Sequence, residues 1–381
     1  MNSIPFNKPC FAGNEQKYIA ETIANLHISG DGPFTKACHR FLEEQLHVRK
    51  ALLTTSCTHA LEMTSLLLKL QPGDEVILPS FTFVSSANAY VLAGAKPVFV
   101  DIRPDTLNID EQLIEAAITP KTRAIVVVHY AGVAAEMDAI LEIGKRHNVP
   151  VIEDNAHGLF AAYRGRMLGT LGVLATQSFH ETKNFTCGEG GALLINDERY
   201  VETAEIVREK GTDRSRFFRG QVDKYTWVSP GSSYLPSDVL AAFLYAQFEA
   251  KDRIQATRER IWKTYAGALE PWAGSARITL PYVPPHCDQA YHMFYLLMPS
   301  LEERTRLITH LRADDINAVF HYVPLHRSQM AARLGAAGAY CPVTDSVSDR
   351  LVRLPFYNDI TESEQLRVTE AIQTFAASRV A

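Results

Sequence analysis

Four short clusters in the sequence combine groups that could hold an anion, a cation and a reactive carbonyl. In Thr54-Thr55-Ser56-Cys57-Thr58-His59-Ala60-Leu61, small hydroxyl residues lead directly into a helix-like run. Free N–H groups at a helix start, together with the helix dipole, suit a phosphate. A plain N-cap role for Ser56 or Thr58 explains the same residues. Glu153-Asp154-Asn155-Ala156-His157 follows the apolar run Val149–Ile152. An acid at the end of a buried strand suits a positively charged ring nitrogen, and another helix cap is the plain alternative. Gln177-Ser178-Phe179-His180-Glu181-Thr182-Lys183-Asn184 precedes Cys187-Gly188-Glu189-Gly190-Gly191. A lone lysine is usually a solvated surface charge. Beside a glycine-rich turn, where backbone approaches a ligand closely, it becomes partly desolvated. Its amine is then a usable nucleophile toward aldehydes.

These clusters need a frame that points them one way. Short apolar runs alternate with helix-like segments from about residue 50 to residue 200. The strands are Ala51–Thr55, Glu75–Leu78, Pro97–Val100, Ala124–Val128, Val149–Ile152 and Ala192–Ile195; the helices are Thr58–Leu70, Ser86–Ala93, Leu113–Ile118 and Met137–Arg146. That rhythm argues for a mainly parallel sheet with helices on both faces. The unbroken run Ala124-Ile125-Val126-Val127-Val128 suits a strand buried on both sides. Sites in such sheets form at the carboxyl ends of strands, where the first three clusters are read; the glycine-rich fourth leads into Ala192–Ile195. Later, Tyr200–Lys210 and one long helix, Asp238–Lys263, are expected. A smaller mixed region follows, with strands near Met293–Met298 and Ala318–Tyr322, a helix at Leu301–Ala313 and a last helix from Ser363. The division expected is a large domain over 1–250 and a linker helix with a small C-terminal domain over 251–381. Residues 1–12 are expected to pack on the small domain.

Composition bounds the function. The chain has 381 residues, 46% hydrophobic and 21% charged, which is ordinary for a globular protein. The net charge is −5, whereas a protein that grips nucleic acid is usually basic. Cys10, Cys38, Cys57, Cys187, Cys287 and Cys341 form no CxxC pair, so no zinc site or disulfide framework is expected. Met1 to Pro9 lacks the pattern of a secretion signal, and no run reaches the length of a membrane span. A cytoplasmic enzyme-sized protein with reduced thiols is expected.

The clusters also carry a resemblance. Glu153-Asp154-x-Ala156-His157, Ser178-Phe179-x-x-x-Lys183 and Gly188-x-Gly190-Gly191 resemble the fold-type-I, pyridoxal-phosphate-dependent sugar aminotransferases of the DegT type. The resemblance runs from Ile4-Pro5-Phe6 to Leu354-Pro355. It implies an α/β, aspartate-aminotransferase-like fold and a homodimer with active sites at the subunit interface. It makes Lys183 the residue that bonds covalently to the cofactor and moves the proton during transamination. Asp154 is the partner of the pyridine nitrogen, His157 approaches the ring's phenolic oxygen, and Phe83 stacks on one ring face. Cys57, Thr58 and Ser178 hold the phosphate. Cys57 stands where the family commonly has Gly; only its N–H need touch phosphate. Where the family commonly has Gly-Tyr-Asn-Tyr-Arg, this chain has Gly231-Ser232-Ser233-Tyr234-Leu235. Ser233 then takes the place of the Asn that reaches the partner subunit's phosphate.

Further segments narrow the resemblance: Ser29-Gly30-Asp31-Gly32-Pro33-Phe34-Thr35, Arg208–Thr212, Arg219–Trp227 and Phe320–His326. They imply transfer of an amino group from L-glutamate to carbon 4 of dTDP-4-keto-6-deoxy-D-glucose. The galacto product serves surface polysaccharide such as enterobacterial common antigen or O-antigen. Arg219, Lys224 and Tyr225 are candidates for the nucleotide diphosphate and base, or an ordinary solvated loop. His321 and His326 are candidates for facing the sugar. Cys57 and Cys187 are expected beside the cofactor. The rivals are the gluco epimer, a 3-keto or non-dTDP sugar, a dehydratase of the same fold (opposed by Lys183, which is His there) and a non-catalytic regulator.

Overall fold

The computed structural model describes residues 3–380. Seven strands form its main sheet: β1 (Lys50–Thr54), β2 (Glu75–Pro79), β3 (Lys96–Val100), β4 (Thr122–Val128), β5 (Val151–Asp154), β6 (Leu174–Ser178) and β7 (Gly191–Ile195). Their order is β1-β7-β6-β5-β4-β2-β3. Neighbours from β6 to β3 pair in parallel, while β7 runs antiparallel to both β1 and β6. Residues 179–190, which join β6 to β7, contain no helix to carry the crossover a parallel strand usually has, and β7 runs antiparallel.

Both faces of the sheet are covered. Leu52, Val76, Leu78, Val126 and Ile152 pack toward helices Cys57–Leu67 and Ser85–Val91 on one side. Ile77, Ile125, Val127 and Val151 face helix Met137–His147, and Ala51, Leu53, Ala175 and Leu194 face helices Pro33–Leu46 and Asp238–Glu249 on the other. Alternate residues of each strand therefore serve opposite cores. Each such Leu, Ile or Val contributes about 1.5–3 kcal/mol when fully buried.

A second core gathers Ile4 with residues from Ile261 to Phe375. Here β8 (Tyr295–Leu297) pairs antiparallel with β9 (Leu351–Arg353). Helices Lys251–Ala276, Leu301–Ala313, Pro342–Arg350 and Glu362–Val380 surround the pair. Ile4 bridges Ile316, and Phe356 N–H donates to the Phe6 carbonyl at 3.1 Å.

Two expected elements take other forms. The single helix over Asp238–Lys263 is two, Asp238–Glu249 and Lys251–Ala276, broken at Ala250 (φ −93°, ψ 12°). Ala250 N–H turns back to Gln247 and Phe248 carbonyls, which closes the first helix. The strand near Ala318–Tyr322 is reduced to one bridge, Val319 to Arg353. Among the described residues no helix is long and apolar enough to cross a membrane. No group of His, Cys, Asp and Glu there has the arrangement of a metal site.

Candidate functional site

The carboxyl ends of β1, β2, β4, β5 and β6 open on one cleft of about 630 Å³. Ser56 caps helix Cys57–Leu67, its Oγ accepting from His59 N–H at 3.1 Å. The first N–H groups of a helix have no partner within it, and Ser56, Cys57 and Thr58 line the cleft. Thr58 and Ser85 hydroxyls lie 2.8 Å apart. Ser178 adds a third hydroxyl to this rim. Gly191 lies against the same turn: a Cβ there would stand 2.4 Å from the Cys57 nitrogen. The Cys57 thiol turns toward Thr176 Oγ1 at 3.5 Å, and burial raises its pKa well above the ordinary value.

Asp154 is the last residue of β5 rather than part of the loop after it. It is buried and accepts from Ser86 Oγ at 2.6 Å and from Ala156 N–H at 3.3 Å. Ser86 is held in turn by Thr82 Oγ1 at 2.8 Å. Burial raises the Asp154 pKa; the Ser86 bond and the charge of Lys183 oppose that without overcoming it. Its neighbour Glu153 points into the interior. Glu153 accepts from Gly169, Leu171 and Gly172 N–H groups and pairs with His129 at 2.9 Å. Burial alone would raise the Glu153 pKa, but these partners bring it below the ordinary value. One carboxylate thus braces the strand end while the other meets the cleft.

Lys183 enters the cleft from the turn after β6, with its N–H bonded to the His180 carbonyl at 2.9 Å. Loss of hydration lowers its pKa to about 8, and nearby Cys57 and Asp154 oppose the fall. The free amine therefore prevails above about pH 8 rather than above 10.5. Capture of added pyridoxal phosphate by cofactor-free protein should accelerate up to about pH 8 and level off above it. Stopped-flow absorbance from pH 6 to 9.5 measures this. A midpoint above 10 contradicts the desolvated setting.

Aromatic groups wall the cleft. Phe83 is 56% exposed yet lines it, 6.3 Å from the Tyr322 ring. His157 is buried and stacks on His292 at 4.3 Å and 20°. Burial and the charge of Lys183 hold His157 well below the ordinary histidine range, and its Nδ1 is enclosed without a partner. His321 lines the cleft and contacts Tyr130 Oη at 2.9 Å.

Several expected residues lie elsewhere. His326 is buried between Ser80 Oγ (2.7 Å to Nδ1) and Asp345 (3.3 Å to Nε2) and does not line the cleft. It fastens the end of β2 to the segment before helix Gln329–Arg333. Cys187 is buried with its thiol toward the Glu189 carbonyl at 3.4 Å, away from the cleft. Ser233 and Arg219 line a second cavity instead, with Asp31, Arg208 and Lys210. Ser233 is exposed there because its stretch folds back on helix Val201–Arg208 through Ser232 N–H and the Val207 carbonyl. Arg219 is engaged by Glu205 at 2.7 Å. Tyr225 packs on Phe217 and under Arg214, and Lys224 is exposed; within one chain neither lines the cleft. Conversely, Ser86, His292, Tyr322, Phe6 and Arg353 belong to the cleft and were not singled out by sequence. Arg353 carried a usable signal: a charge inside the apolar run Leu351-Val352-Arg353-Leu354.

The donor set suits pyridoxal phosphate. Hydroxyls and helix-start N–H groups sit at one end to hold a phosphate, the buried carboxylate of Asp154 would meet a ring nitrogen, and the desolvated amine of Lys183 would meet an aldehyde. The unpartnered Nδ1 of His157 is left for a polar ring substituent.

Comparison with known proteins agrees. Residues 9–373 match the DegT/DnrJ/EryC1/StrS aminotransferase family. The chain is 32% identical over 378 residues to the uncharacterized protein MJ1066 of Methanocaldococcus jannaschii, covering 97% of each. It is 27% identical to the aminotransferase TlmJ of Streptoalloteichus hindustanus, with a TM-score of 0.91 over 99% of this chain and 100% of that one. It is likewise 27% identical to Spr1654 of Streptococcus pneumoniae in its PMP form, described as a putative sugar aminotransferase. There the TM-score is 0.90 over 98% and 99% of the two chains. With its aminotransferase-like fold and the cleft built around Asp154 and Lys183, the chain belongs to the DegT/DnrJ/EryC1/StrS family and is a pyridoxal-phosphate-dependent aminotransferase.

Proposed function

We propose that the chain transfers an amino group from L-glutamate to carbon 4 of dTDP-4-keto-6-deoxy-D-glucose, giving dTDP-4-amino-4,6-dideoxy-D-galactose. The observation that carries the reaction type is the meeting of Asp154 and Lys183 in one cleft with a hydroxyl and helix-start rim. The sugar class is supported by similarity to Spr1654, and the particular sugar by the sequence segments noted above.

Bound in this cleft, pyridoxal phosphate supplies an electron sink for the carbon that loses or gains a proton. Ser56, Cys57 and Thr58 N–H groups, with Thr58, Ser85 and Ser178 hydroxyls, hold the phosphate. Asp154 keeps the ring nitrogen protonated from a buried position, where a charge pair acts with little screening. His157, held neutral, orients the ring, and Phe83 covers one face. Lys183 anchors the cofactor and then carries the proton at its Nζ. A pKa near 8 leaves that amine able both to take and to give it at neutral pH.

A homodimer belongs to this reading. Leu26, Ile28, Phe218 and Trp227 are exposed to between 57% and 92%, more large apolar surface than isolated side chains usually present. A second copy covering it would bring Ser233, Arg219, Lys224 and Tyr225 to the partner's cleft.

Purified enzyme supplied with L-glutamate and a panel of nucleotide keto-sugars tests the reading. The expected product carries an axial amine at carbon 4, assigned by NMR. An equatorial amine removes the galacto assignment, and turnover restricted to another nucleotide or a 3-keto-sugar removes the substrate.

A further inference from the structure

Asn184 follows Lys183 in the chain and is buried. Its amide joins three segments. Nδ2 donates to the Ala290 carbonyl at 2.7 Å and to Gln255 Oε1 at 3.5 Å, and Oδ1 lies 2.9 Å from His292 Nδ1. A carbonyl only accepts, so Ala290 settles which end of the amide carries the nitrogen. Oδ1 is then an acceptor, and the His292 proton must sit on Nδ1. Burial above all holds His292 well below the ordinary histidine range, so the ring is neutral and has one tautomer.

The backbone that carries His292 is held from the other side. Arg258, on helix Lys251–Ala276, donates through Nε to the Tyr291 carbonyl at 3.0 Å and through Nη2 to the His292 carbonyl at 2.6 Å. Tyr291 has φ 51°, a left-handed conformation that a residue with a Cβ adopts at some cost. The segment Ala290–His292 is thus turned sharply and pinned by Asn184 and Arg258, and the His292 ring is delivered to the wall of the cleft.

There it meets His157. The two imidazoles stack at 4.3 Å and 20°. Tyr130 and His321 approach His157 less closely, with ring centroids at 6.0 and 6.3 Å. Nδ1 of His157 is enclosed without a hydrogen-bond partner, so no bond at that atom sets the angle of the ring. We propose that Asn184 and His292 are positioning residues that act through His157: the amide fixes His292, and the His292 face fixes His157 at the angle that presents Nδ1 to the ring hydroxyl of the cofactor. This rests on the reading that His157 meets that hydroxyl. The link is selective, because Thr58 is held by Ser85 and Asp154 by Ser86, outside this chain of contacts. Loosening it should weaken the contact to the hydroxyl and leave the phosphate and the ring nitrogen as they were.

The test uses full-length protein freed of cofactor. It is titrated with pyridoxamine 5′-phosphate and with the 3-deoxy analogue, which lacks the ring hydroxyl; neither bonds covalently to Lys183. Wild-type protein should bind the first about 10- to 100-fold more tightly, as expected for one hydrogen bond to a charged group. Asn184→Ala should reduce that preference to about 3-fold or less, and so should His292→Phe, which keeps a ring in the stack but loses the bond to Asn184. His157→Ala should abolish the preference, and adding Asn184→Ala to it should change nothing further, as expected of residues that act in series. Should Asn184→Ala fail to fold, His292→Phe decides. Equal weakening of both ligands, or a preference retained in full while His157→Ala loses it, overturns the proposal and leaves the reading of His157 intact. A wild-type protein that does not distinguish the two ligands overturns the reading of His157, and the proposal with it.

Discussion

Lys183→Ala should abolish turnover, with kcat reduced by at least about 10⁴-fold, the upper end for one positioned proton carrier. That is about 5 kcal/mol in barrier height. The loss is large because one amine serves two purposes that no neighbour can assume. On the proposed reading it anchors the cofactor and moves the proton between the two carbons. Another basic group in the cleft, His157, is buried, held neutral and stacked on His292. The check is the visible absorbance of bound cofactor together with kcat. Alanine should remove the lysine-bound band. A variant that keeps the band, or that turns over within 100-fold of wild type, would sink the assignment.

Asp154→Asn is expected to have the second largest effect, a fall in kcat of about 10²–10³-fold, as for loss of one fixed electrostatic partner. The amide keeps the shape of the side chain and its place beside Ser86, 2.6 Å away. Only the negative charge goes. In a buried position that charge is worth far more than at a surface, since Asp154 is 5% exposed. Cofactor content, read from absorbance, should stay within about twofold while turnover falls. Activity within tenfold of wild type would mean that the ring nitrogen does not depend on Asp154.

Much of this site was legible because its signals are local. Lys183 stands between an apolar strand and a glycine turn, and Asp154 closes an apolar run; these neighbours made both candidates, and the family resemblance gave them their roles. The parallel sheet was legible for the same reason, through the alternation of apolar runs with helical spacing. What stayed hidden depends on long-range packing. His326 resembled a substrate group until Ser80, 246 residues away, proved to hold it in the interior. Ala250 carries no Gly or Pro signal, so the break between helices Asp238–Glu249 and Lys251–Ala276 left no local mark. The stretch Ala318–Tyr322 has strand-like residues but gains one bridge, because Val319 meets β9 only at Arg353. Arg219 and Tyr225 lie in one candidate segment, and contacts with Glu205 and Phe217 hold them on another part of the surface.

The start of the chain has a consequence for synthesis. Ile4 N–H donates to the Asp315 carbonyl at 2.8 Å, Asn317 N–H donates to Ile4, and Phe6 places its ring under Arg353. These partners leave the ribosome last. A nascent chain with residues 50–195 exposed already owns the rim, Asp154 and Lys183, but its first residues have nothing to join. The wall formed by Phe6 closes only after more than three hundred further residues have been made, a pairing of high sequence separation and slow closure.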